Sequence, residues 1–223
     1  MKHAFFKTAS GLALGLMAMS AIAQTMPNAV AAAPAQLPAF THRTQVAGDL
    51  AKISAKLNAT ASFSGRFAQY ASDGSFSQGN IYLKRPGKVR FEYDAPAPYL
   101  LVSDGVTLTQ VDRKLGTKDR IPLKTTPLAF FLGENVNLAD DVEVVSLQKT
   151  PMAISLTAKD GSGEMDGAIT MVFDPTSLAL QEWVVHDSFG QQTKIVLSNL
   201  KYNQRLNPRL FVLRDEKRRE RRR

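Results

Sequence analysis

From Ser62 onward, apolar residues recur at every second position. Phe63, Gly65, Phe67 and Gln69 alternate with Ser62, Ser64, Arg66 and Ala68. Ile81 and Leu83 alternate with Asn80, Tyr82 and Lys84, and Val89, Phe91 and Tyr93 alternate with Arg90, Glu92 and Asp94. Ile169, Met171 and Phe173, then Trp183 and Val185, then Ile195 and Leu197 carry the same period late in the chain. A period of two is that of β-strands, whose side chains point alternately to opposite faces. Asp-Gly pairs at 73–74, 104–105, 160–161 and 166–167 suit tight turns between such strands. Many short strands without intervening long helices predict an antiparallel sheet of roughly ten strands. A sheet that large must curl or close on itself.

Two segments depart from this period. Val46, Leu50, Ile53 and Leu57 fall on one face of a helix, with Thr44 as its N-cap and Asn58 as its stop. Thr126-Pro127-Leu128-Ala129-Phe130-Phe131-Leu132-Gly133 has Thr as cap, Pro at the first helical position and Gly at the end, which predicts a short helix. Its side chains are almost all apolar, so both faces need cover. It reads equally as a plug or lid and as a plain core helix. Asn137 to Asp141 add a further turn.

The N-terminus reads as an export address. Lys2 and Lys7 precede an apolar run from Leu12 to Ile22, and Ala21-Ile22-Ala23 supplies a small-x-small cleavage site. The run is too short for the ~20 residues of a transmembrane helix. We expect residues 1–23 to be a cleaved signal peptide and 24–43, rich in Ala and Pro, a flexible leader. Residues 44–213 then form the folded domain and 214–223 a basic, disordered tail. The expected location is the periplasm or the outside of the cell.

Composition narrows the chemistry. The net charge is +8, of which +4 lies in the last ten residues (seven basic, three acidic) and two more in Lys2 and Lys7, leaving the body at about +2. A basic end on a near-neutral body argues against nucleic acid. Zero cysteines exclude disulfides, thiolate nucleophiles, Cys-ligated metals and an acylated N-terminal Cys. His186-Asp187-Ser188 cannot be a triad on a strand, because neighbours point to opposite faces. Asp140-Asp141 read as solvated acids at a helix end, and Asp160 to Asp166 lack the ligand spacing of a calcium loop. No metal, no cofactor and no enzymatic activity are expected.

One polar residue stands out. If the strand through Ile81 and Leu83 runs to Arg85, its guanidinium shares their apolar face and needs acceptors, for which carbonyls at the end of a lid helix are suited. If Pro86 ends the strand, Arg85 sits exposed at a rim.

Gly65-Arg66-Phe67-Ala68-Gln69 resembles the G-x-F-x-Q opening strand of LolA-type outer-membrane lipoprotein carriers. The stretch Gly79 to Tyr93 is similar to their G-x-x-x-x-K-R-P-x-x-x-R-[FW]-x-Y, and Pro96-x-Pro98 and Leu101-Val102-Ser103-Asp104-Gly105 resemble the next two landmarks. The resemblance spans about residues 44 to 213. It implies a mainly β fold, an unclosed antiparallel β-barrel of roughly ten to eleven strands covered by an N-terminal helix and short lid helices. It implies a monomeric periplasmic chaperone that takes acylated lipoproteins from an inner-membrane ABC exporter to an outer-membrane acceptor. It also implies that Arg85 latches the lid by hydrogen bonds to helix backbone. Val89 stands where family members carry Phe. The cargo-lining candidates are Phe63, Phe67, Ile81, Leu83, Val89, Phe91, Phe130, Phe131, Met171 and Trp183. A carrier of another lipid or glycolipid on the same fold is the alternative, and the basic tail is expected to make weak contact with anionic membrane.

Overall fold

The computed structural model describes residues 39–162 and 167–213. A helix, α1 (Ala39–Ala59), leads into β1 (Ser62–Ala71), β2 (Phe76–Lys84), β3 (Lys88–Tyr93), β4 (Tyr99–Asp104), β5 (Thr107–Asp112) and β6 (Thr117–Pro122). A 3-10 turn (Leu123–Thr125) and a one-turn helix, α2 (Ala129–Leu132), follow. The chain then adds β7 (Glu143–Lys149), β8 (Ile154–Lys159), β9 (Ala168–Phe173), β10 (Leu180–His186), β11 (Gln192–Tyr202) and a final 3-10 turn (Pro208–Phe211). The strands form one 11-stranded sheet in the order β6-β5-β4-β3-β2-β1-β11-β10-β9-β8-β7. Every pairing is antiparallel.

This topology explains where the helices lie. β6 and β7 are the two free edges of the sheet, yet they are consecutive in sequence. The link between them must therefore cross from one edge to the other, and it carries α2. The alternating residues of the strands put Phe63, Phe67, Ile81, Leu83, Val89, Phe91, Ile169, Met171, Phe173 and Trp183 in one core. Leu50, Ile53 and Leu57 of α1 and Phe130, Phe131 and Leu132 of α2 complete that core. The eleven strands give one face to these helices, and over β3 and β4 the other face is covered by the segment that follows β11.

The helical face of α1 is as the spacing predicts: Leu50, Ile53 and Leu57 are buried and Val46 is partly buried. The helix begins earlier, at Ala39, so it takes in residues assigned to the leader and Thr44 lies inside it. The signal peptide, most of the leader and the basic tail lie outside the described residues, as does Asp166 of the acidic loop. Among the described residues no helix is long and apolar enough to cross a membrane.

The chain end returns over the other face. Arg90 Nη1 donates to the carbonyl of Leu210 at 3.2 Å, and Nη2 donates to Glu92 Oε1 at 3.0 Å. Leu206 and Phe211 are buried outside the main core, as are Leu100 and Val102 of β4. The Arg of the R-[FW]-x-Y stretch thus anchors the chain end. At the 104–105 turn, Asp104 Oδ1 accepts the backbone N–H groups of Val106 and Thr107, both at 2.9 Å.

Candidate functional site

β2 ends at Lys84, and Arg85 begins the turn into β3. The unbroken strand considered for Arg85 is thus not formed. Its guanidinium nevertheless turns inward rather than out from the rim. Nη1 donates to the carbonyl oxygen of Gly133, just beyond α2, at 3.0 Å. Two residues on, the Gly87 N–H donates to the carbonyl of Leu132 at 2.8 Å. Burial pushes Arg85 down from 12.5 to about 10, so it stays charged at neutral pH. Its Nε is buried and has no hydrogen-bond partner. A guanidinium held by one bond, with a second donor unpaired, stabilises the fold less than an apolar side chain would in its place. The contact is therefore thinner than a set of several charge-assisted bonds.

The link between the edge strands is held from a second side by α1. Asn58 Nδ2 donates to the carbonyl of Val136, and the Val136 N–H donates back to Asn58 Oδ1, both at 2.9 Å. Ser54 Oγ accepts the N–H of Leu138 at 3.0 Å. Asn58 thus does more than end the helix. These three bonds fasten residues 136–138 to α1, whereas the bonds from Arg85 and Gly87 fasten residues 132–133 to the sheet.

The short helix is shorter than its start and stop signals imply. Thr126 Oγ1 donates back to the Leu123 carbonyl at 2.8 Å instead of capping, because the chain arrives through the 3-10 turn. Helical geometry begins only at Ala129, so Pro127 lies in the turn before it. All-round cover is provided: Leu128, Phe130, Phe131 and Leu132 are buried. Asn137 to Asp141 make a turn as expected, with Asn137 N–H on Asp141 Oδ2 at 2.7 Å and Asn137 Nδ2 on Asp140 Oδ2 at 2.6 Å. Asp140 and Asp141 thus serve this turn.

All ten lining candidates fall in one buried core. At its centre is a run of edge-on aromatic contacts. Tyr93 meets Phe67 at 5.0 Å, Phe67 meets Phe91 at 5.1 Å, and Phe91 meets Trp183 at 6.1 Å between ring centroids. Trp183 in turn meets Phe131 of α2 at 5.3 Å. Tyr93 Oη donates to Gln69 Oε1 at 2.6 Å, and burial raises its phenol above its ordinary value. The strands supply the aromatic face, and α2 stoppers it through Phe131. Beside this run lies a void of about 20 Å³ bounded by Leu57, Phe63, Leu83, Arg85, Phe131 and Leu180, among others. It has room for about one water molecule. Of the ten candidates only Phe63, Leu83 and Phe131 border it.

Leu57, Leu178, Leu180 and Tyr202 also border the void, and the sequence pattern does not single them out as lining residues. Leu178 has φ +55°, a backbone state that β-strand periodicity does not announce. The other chemistry stays apart. His186 Nε2 pairs with Thr170 Oγ1 at 3.0 Å, and Asp187 Oδ1 accepts the N–H groups of Phe189 and Gln191 at 2.9 and 2.8 Å. Among the described residues no three His, Asp or Glu side chains gather as a metal would need.

Fold and site together define an open antiparallel β-sheet whose apolar face is stoppered by the chain's own helices. The chain belongs to the LolA outer membrane lipoprotein carrier protein family, whose model matches residues 58–214. It is similar to an outer-membrane lipoprotein carrier protein of Nitrosomonas europaea, with 30% identity over 165 residues, 70% of this chain and 79% of that one. A carrier of the same name from Legionella pneumophila is 28% identical over 189 residues, 80% of this chain and 91% of the relative. The crystal structure of a LolA superfamily protein from Nitrosomonas europaea aligns over 74% of this chain and 97% of that one, with 11% identity and a TM-score of 0.45.

Proposed function

We propose that this protein is a non-enzymatic periplasmic carrier that binds the acyl chains of lipoproteins released from the inner membrane and delivers them to the outer membrane. The observation that carries this reading is the Arg85–Gly133 contact beside an aromatic face closed by Phe131. An acyl chain in water gains ~0.8 kcal/mol per methylene it buries. That gain offsets the loss of packing when α2 leaves the face. The bond from a charged donor at Arg85, worth about 1.5–3 kcal/mol, is lost on opening and regained on release. Reclosure therefore helps to expel the cargo without ATP. The donor is an inner-membrane ABC exporter, and the recipient is an outer-membrane acceptor.

Residues 1–23 act as the cleaved export signal in this reading. The basic run 214–223 adds weak attraction to anionic lipid, ~1 kcal/mol per basic residue near a surface. Equal binding of full-length and 1–213 protein to anionic vesicles at low salt would reject that addition. The delivery role is tested by incubating purified protein with labelled lipoprotein in inner membranes and then with outer membranes. Label should appear first in a soluble complex and then in the outer membrane. Failure to form the soluble complex, with the exporter active, would contradict the carrier reading.

A further inference from the structure

A second hollow, of about 310 Å³, shares Arg85 with the apolar void. Its walls are Ala61, Ser62, Lys84, Arg85, Asn203, Gln204, Arg205 and Leu206. Three of these are cations, and none is acidic. Among the described residues none of the three is in an ion pair with a carboxylate. On a body whose net charge is only about +2, three unpaired cations in one hollow are a local concentration of positive charge.

The walls are built rather than frayed. The Ala61 N–H donates to Asn203 Oδ1 at 2.9 Å, and Asn203 Nδ2 donates to the Ala59 carbonyl at 3.3 Å. Ser62 Oγ donates to the Gln204 carbonyl and the Asn203 N–H to the Ser62 carbonyl, both at 2.7 Å. The Arg85 N–H donates to the Ala61 carbonyl at 2.9 Å. These bonds tie the end of α1, the start of β1 and the chain after β11 into one frame. Arg85 borders both hollows: its Nη1 holds Gly133, and the donor set of the guanidinium is not used up by that bond.

We infer that this hollow is a binding site for the anionic head group, phosphate or carboxylate, of an acyl lipid whose chain enters the neighbouring apolar site. The inference rests on the carrier reading and gives that site a head-group preference. A guanidinium and further donors suit phosphate and carboxylate oxygens. Lys84 and Arg205 supply charge from the two walls, and Arg85 stands where head group and chain join. An anionic head drawn to Arg85 also competes with Gly133 for the guanidinium, so the site couples head-group binding to opening of the lid.

The test uses the purified protein, with lysophosphatidate and monoacylglycerol of one chain length, which differ only in the phosphate. Titration calorimetry should give about tenfold tighter binding of lysophosphatidate at low salt, with the difference shrinking as salt is added. Lys84→Ala with Arg205→Ala should bring lysophosphatidate toward the affinity of monoacylglycerol. Arg205→Glu alone, at an exposed position, should weaken lysophosphatidate in the same sense. Equal affinity of the wild type for both lipids would overturn the inference and leave the carrier reading standing. Glycerol phosphate binding as tightly as lysophosphatidate would also overturn it, marking a site for free anions. No binding of either lipid, with a triacylated peptide still bound, would again overturn only this inference. If the triacylated peptide is unbound too, the carrier reading falls with it.

Discussion

Arg85 and Gly133 are 48 residues apart in sequence, and the 3.0 Å bond between them is where the sheet holds the segment that stoppers it. Beside it, Gly87 and Leu132 make a backbone bond at 2.8 Å. Replacing Arg85 by Leu removes the first of these and the burden of a buried charge. Arg85→Leu should therefore fold with stability equal to or above that of the wild type, by up to a few kcal/mol. Cargo loading should survive and transfer to outer membranes should fail. Arg85→Lys should transfer poorly, since an ammonium lacks the fork geometry of the guanidinium. Denaturant unfolding and transfer of labelled lipoprotein, recorded on the same samples, test this. Wild-type transfer by Arg85→Leu would sink the latch assignment.

Asn58 ties the other end of the same segment to α1. Its removal leaves the Val136 N–H and carbonyl without their partner. Asn58→Ala should cost about 1–3 kcal/mol. It should also make residues 136–138 exchange their amide hydrogens faster in the empty protein, whereas Arg85→Leu should act on residues 132–133. Exchange monitored by mass spectrometry separates the two variants.

Two glycines make a contrasting pair. A Cβ on Gly79 would lie 2.1 Å from the Glu92 carbonyl oxygen, so β2 and β3 could not keep their spacing. Gly79→Ala should be strongly destabilising, beyond ~3 kcal/mol or unfolded at growth temperature. At Gly48, within α1, an added Cβ would meet nothing within 4 Å. Gly48→Ala should stabilise by about 0.5–1 kcal/mol. Thermal melts of both variants decide the matter. A stabilising Gly79→Ala would mean that this strand pairing is misplaced.

Backbone donors at Thr107 and Val106 hold the Asp104 carboxyl below its ordinary value of 3.8. A depressed folded value contributes stability above the unfolded value and loses it as the pH falls through the folded one. The destabilisation caused by Asp104→Ala should therefore be constant near neutral pH and shrink below about pH 4. Urea unfolding of both proteins across that range measures it. A gap that widens in acid would contradict the assigned hydrogen bonds.

The parts legible in the sequence are those that rest on periodicity. The face of α1 through Leu50, Ile53 and Leu57 and the inward rows ending in Phe91, Met171 and Trp183 follow from spacing alone. The acceptor on Gly133 is not legible in residue identity, because a backbone carbonyl is common to every residue. Ser54 and Asn58 are polar residues on an otherwise ordinary helix, and only the path of the link from β6 to β7 gives them partners. The start of α2 differs from its sequence signals because the Thr126 hydroxyl turns back to Leu123, a choice set by the preceding 3-10 turn. How tightly Phe131 fills the apolar face depends on packing across distant strands, which no local pattern encodes.

Trp183 is the chain's one tryptophan, 2% exposed and in contact with both Phe91 of the sheet and Phe131 of the stopper. Its emission therefore reports whether the stopper leaves the aromatic face. The most direct test is titration of the purified protein with a synthetic triacylated lipoprotein N-terminus, set against the same peptide without acyl chains. A carrier closed by Phe131 should show a saturable change in Trp183 emission with the acylated peptide and none with the bare one. An emission spectrum unchanged by the acylated peptide, while that peptide is bound, would contradict the view that cargo enters by displacing the stopper.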